Sequence, residues 1–79
     1  MRLPRGMDAA TLIKALAHFG YGITRQTGSH IRLTTQQPKQ YHITVPDHSP
    51  IKVGTLNSIL AEIAVQQGIS RDELLRRLF

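Results

Sequence analysis

The chain has no cysteine and no tryptophan, only two tyrosines and two phenylalanines, and only five carboxylates among 79 residues. Without cysteine neither a disulfide nor a thiolate zinc site is possible, which fits a reducing compartment. Scarce aromatics supply few platforms for stacking bases, so a bound nucleic acid would be held through its backbone with weak sequence preference. No apolar run is long enough to span a membrane: the most apolar window, "SILAEIAV", is short and carries Glu62. The opening "MRLPRGMDAA" has charges with no apolar stretch behind them and does not read as a secretion signal. Repeats, linkers and low-complexity segments are missing too. The expectation is one folded domain over residues 1–79, cytoplasmic and without a membrane partner. A domain this small buries roughly 60–65% of its extended surface, so its core is modest.

What is abundant is positive charge. Ten Lys and Arg give a net charge of +5. Residues 1–61 hold seven of these bases against only Asp8 and Asp47, whereas residues 62–79 balance three bases with three acids. The positive field therefore belongs to the N-terminal and central part. Such a field attracts phosphate backbones or an acidic protein, or it serves only to keep the surface soluble.

The hydrophobic pattern predicts the elements. Asp8 caps a helix through "AATLIKALAHFG", with Leu12, Ile13, Leu16 and Phe19 on one stripe and Gly20 as the left-handed stop. "YGITRQT", "HIRLTT" and "QYHITV" read as three strands joined by short turns, hence antiparallel hairpins. Ile31 and Leu33 share one face of the second strand, and Tyr41, Ile43 and Val45 share one face of the third. His30, Arg32, His42 and Thr44 point the other way. After the loop "PDHSPIKVG", Gly54-Thr55 opens a helix with Leu56, Ile59, Leu60, Ile63 and Ala64 as its stripe. Ser70 and Glu73 form a capping box for a short last helix. The order is α-β-β-β-α plus a C-terminal helix: an α+β fold with a three-stranded antiparallel sheet and helices on one face.

Several residues stand out chemically. His30 follows a Gly-Ser turn and starts a strand on the open face, where it is a surface ring, a phosphate contact, a metal ligand or an acid/base. Zinc needs three or four ligands in tight geometry, and no close-spaced histidine pair or HExxH exists, so no metal site and no cofactor are expected. Arg25, Arg32, Lys39 and Lys52 are phosphate-contact candidates, joined by Ser29 in the turn and by Gly54 and Thr55, whose amides at a helix start favour anions. His42 is expected to lie near His30 across the hairpin, on the same face, as a second proton-transfer group or a further RNA contact, or simply as part of a polar surface. Ser29 as a nucleophile is disfavoured, because neighbours along a strand point to opposite faces.

With "GSH", "ITVPDH" and "KVGTLNSIL" in place, nearly the whole chain resembles the HicA-type toxins, the RNA-cleaving halves of bacterial toxin–antitoxin pairs. The resemblance rests on Gly28-Ser29-His30, on Val45-Pro46 with His48, and on Gly54-Thr55-Leu56 followed by Ser58-Ile59-Leu60. It implies a double-stranded-RNA-binding-domain-like fold, cleavage of messenger RNA without a metal, and neutralisation by a HicB-type antitoxin. It also implies that His30 is the catalytic residue and that His48 contacts phosphate or shapes its loop. The chemistry suits an imidazole: RNA carries its own nucleophile, the 2′-hydroxyl, and a ring titrating near neutrality can move the protons. Two other readings use the same residues: an RNA-binding module that does not cleave, or an interaction protein whose basic face docks an acidic antitoxin.

Overall fold

The computed structural model describes residues 6–79; Arg2 and Arg5, which contribute to the basic N-terminal part, lie outside the described residues. Helix α1 spans Ala9–Leu16 and runs into one 3-10 turn, Ala17–Phe19. Asp8 caps it, its carboxylate accepting the Thr11 amide at 2.8 Å. Gly20 closes it at φ 80, in the left-handed region. Strands β1 (Gly22–Thr27), β2 (His30–Thr35) and β3 (Tyr41–Pro46) follow, then α2 (Val53–Gln67) and α3 (Arg71–Leu78).

The strands form one antiparallel sheet in the order β1-β2-β3. Ile31, Leu33, Ile43 and Val45 are buried and join Leu12, Leu16, Leu56, Leu60, Ile63 and Leu74 in a single core. The helices therefore cover one face of the sheet, as the alternation predicts. Each fully buried Leu or Val in this layer stabilises the fold by roughly 1.5–3 kcal/mol. Strand β1 is exposed along its whole length. Its sequence, "GITRQT", has only Ile23 to offer a core, and a bulge between Ile23 and Arg25 breaks its register.

Polar clasps hold the end of the sheet where β2 turns into β3. The buried Thr35 hydroxyl donates to the Phe19 carbonyl at 2.8 Å and accepts the Gln37 amide at 3.1 Å. Gln66 and Gln67, at the end of α2, both donate to the Gln37 carbonyl, at 3.2 and 2.7 Å. These bonds anchor the C-terminus of α2 beside the β2–β3 turn. Its N-terminus, roughly 22 Å away at 1.5 Å per residue, therefore lies at the end of the sheet where β2 begins.

At the C-terminal end the capping box forms as expected, with Ser70 Oγ accepting the Glu73 amide at 3.1 Å. Leu74 and Leu75 are fully buried, so α3 is part of the core. Three details differ from the sequence reading. Tyr21 is a buried linker residue preceding β1, with its hydroxyl donating to Gln66 at 2.8 Å. Tyr41 is only half-buried, because its hydroxyl reaches out to Glu62 at 2.6 Å. Helix α2 starts at Val53, one residue before Gly54, because Lys52 is the extended cap residue.

Candidate nucleic-acid interface

The uncovered face of the sheet is ordered in three cross-strand rows, since directly paired residues share a face. Thr27, His30 and Pro46 make the first row. Arg25, Arg32 and Thr44 make the second, and Thr34 with His42 the third. All are exposed except Pro46 and Thr34, which are partly covered. The row spacing, two residues along a strand, is roughly 6.6 Å.

His30 owes its place to the turn before it. Thr27 pairs with His30, leaving Gly28 and Ser29 as a two-residue hairpin connection. Gly28 sits at φ 57, the positive value such a turn needs at its first position. The turn is tied to the opposite loop, where the Asp47 amide donates to the Ser29 carbonyl at 2.7 Å. That loop is fixed in turn by its backbone: the His48 amide donates to the Pro46 carbonyl, the Ala9 amide to the His48 carbonyl, and the Ile51 amide to the Met7 carbonyl. The His48 side chain is left exposed.

One end of the molecule thus gathers His30, Ser29, His48 and the start of α2. The α2 start belongs to the helical layer and His30 to the open face, so they meet at the sheet's end rather than on one surface. The first helical residues, Val53, Gly54 and Thr55, have no capping side chain; Lys52 contributes only its carbonyl, to the Leu56 amide at 2.9 Å. Gly54 and Thr55 are exposed, as is Lys52.

Two of the sequence candidates are placed elsewhere. Lys39 lies in the connection between β2 and β3, at the far end of β2 from His30. His42 pairs with Thr34, and the partner of His30 is Pro46, so His42 is four residues from His30, roughly 13 Å at strand rise. It shares the face, as expected, but not the neighbourhood. The five-residue turn offsets the strands, and alternation alone does not reveal that offset.

The sequence reading also missed a polar chain on this face. Thr34 Oγ1 lies 2.7 Å from His42 Nδ1 and 2.8 Å from Thr24 Oγ1. Thr24 and Thr34, one on each of two neighbouring strands, were the available signal, but their meeting depends on the bulge in β1. Among the described residues no three His, Cys, Asp or Glu side chains converge as a metal site. Among them, too, no helix is long and apolar enough to cross a membrane.

A family model describing the HicA toxin of bacterial toxin–antitoxin systems matches residues 9–65. The chain belongs to the HicA toxin family. Neither a curated protein nor a solved structure matches it. The matched span runs from the first residue of α1 to within two residues of the end of α2, so it contains the three rows, the Gly28-Ser29 turn and the moored loop. Family membership makes this the toxin of a toxin–antitoxin system, with an antitoxin as partner. Helix α3 lies beyond the matched residues.

Proposed function

We propose that this toxin is a single-domain, cytoplasmic endoribonuclease that cleaves messenger RNA without a metal, with His30 as general acid or base, and that a HicB-type antitoxin silences it. The observation that supports this reading is the position of His30: exposed, at the end of an uncovered sheet face, one row from Arg25 and Arg32. A general base takes the proton from the 2′-hydroxyl, whose oxygen attacks the adjacent phosphorus. The bond from phosphorus to the 5′-oxygen breaks, that oxygen takes up a proton, and a 2′,3′-cyclic phosphate remains. The two guanidiniums one row away are suited to the charge that grows on the phosphate.

His42, four residues along the sheet, is too distant to serve the same linkage. His48 is the other histidine at the His30 end and is the group we assign to the second proton transfer or to the phosphate. Ser29, Lys52, Gly54 and Thr55 would hold backbone phosphates around that end, and Lys39 a phosphate further along. The deciding experiment incubates purified wild-type protein and His30→Ala with a defined RNA, with and without a chelator. Wild type should cut in both conditions. His30→Ala should lose cleavage while keeping its fold, since the ring is exposed, and His48→Ala should lose less. Undiminished cleavage by His30→Ala would sink the assignment. Retention of intact RNA by the wild type would favour a module that binds without cutting.

A further inference from the structure

The third row carries a built feature that proton transfer at His30 does not use. Thr24 stands at the bulge in β1, where the extra residue brings its hydroxyl over β2. Its Oγ1 donates to the Arg32 carbonyl at 3.4 Å and lies 2.8 Å from Thr34 Oγ1, which lies 2.7 Å from His42 Nδ1. A hydroxyl has one proton to give. All three contacts are hydrogen bonds at once only when Thr24 donates to the carbonyl, Thr34 donates to Thr24 and His42 donates to Thr34. That arrangement, which satisfies every group, runs its donors from His42 through Thr34 and Thr24 to the backbone. In it Nδ1 carries the shared proton, and the tautomer it selects presents Nε2 of the exposed ring as a hydrogen-bond acceptor.

A phosphodiester has no hydrogen to offer such an acceptor, whereas a ribose 2′-hydroxyl does. We propose that His42 reads a 2′-hydroxyl of bound single-stranded RNA, a few nucleotides from the linkage at His30, with Thr34 and Thr24 as positioning residues that fix its tautomer. The Arg25–Arg32 row lies between the two rings, where the intervening phosphates would pass. This inference takes from the ribonuclease reading only that RNA lies along the open face. It adds a second contact that distinguishes RNA from DNA, independent of the nucleophile.

The test measures binding of the His30→Ala protein, which leaves RNA intact, to one short single-stranded RNA and to DNA of the same sequence. RNA should bind more tightly. Adding His42→Ala or Thr34→Val should shrink the RNA-over-DNA ratio roughly fivefold, the worth of one ordinary hydrogen bond, whereas Thr34→Ser should preserve it. An unchanged ratio in both variants overturns the proposal. So does a His42→Ala variant that weakens RNA and DNA equally, since that would make the ring a phosphate contact. Loss of the ratio with no cleavage by wild type sinks only the ribonuclease reading. Normal cleavage with an unchanged ratio sinks only the 2′-hydroxyl contact.

Discussion

The Asp47 amide donates to the Ser29 carbonyl at 2.7 Å, joining the loop after β3 to the turn before His30. The position of His30 is thus set by two backbone devices, this bond and the positive φ of Gly28.

Alanine at position 28 meets no atom within 4 Å, so its penalty is conformational alone. Gly28→Ala should lower the urea midpoint by an amount equivalent to about 1 kcal/mol, with Gly28→Asn costing less. Domains hold about 5–15 kcal/mol, so the folded fraction stays near one. A fall in RNA cleavage by folded Gly28→Ala therefore reports a displaced His30, and full activity would show that the turn does not set the ring.

Alkaline pH probes the helix–sheet junction. Burial, and then the nearby Tyr41 and Glu62, push the Tyr21 phenol up to about 12. The hydrogen bond Tyr41 donates to Glu62 raises the Tyr41 phenol as well. Both protonated phenols favour the folded state, so this stability is complete below pH ~10, where unfolded tyrosine titrates. It declines as the pH rises from there toward the folded values. Tyrosinate absorbance should appear at higher pH in native protein than in denaturant, and Tyr21→Phe should flatten the alkaline loss of stability. Coincident titrations of native and unfolded protein would contradict this.

Arg25 and Arg32 are direct partners across β1 and β2, two like charges on an exposed face. Such a pair opposes folding by a few tenths of a kcal/mol. Arg25→Thr should raise the urea midpoint while weakening RNA binding, and should reduce the salt slope of the binding constant by about 1. Arg76→Gln removes the same charge from α3, away from the open face, and should leave the slope unchanged. Equal slopes for both variants would move the RNA off this face.

Much of this is legible in the sequence, wherever one residue type has one local job. Asp8 and Ser70 cap helices through their own side chains, and Leu12, Leu16, Leu33 and Val45 are buried as their periodicity requires. His30 is exposed on the open face, as alternation predicts. The failures are matters of offset. The bulge at Thr24 and the Thr34–His42 pairing depend on how strands slide past one another, a balance struck by the whole sheet. Tyr21 looked like a strand residue because tyrosine suits strands; its burial follows from where α1 hands the chain to β1.

The loop from Asp47 to Ile51 is held by main-chain atoms alone in its bonds to Ser29, Met7 and Ala9. Amides and carbonyls are common to almost every amino acid, so the course of the loop at the exposed Asp47, His48 and Ser49 does not depend on which side chains stand there, whereas Ile51 ties its end into the core. Substitutions at Asp47, His48 and Ser49 can therefore change the surface beside the turn before His30 while the architecture underneath stays put.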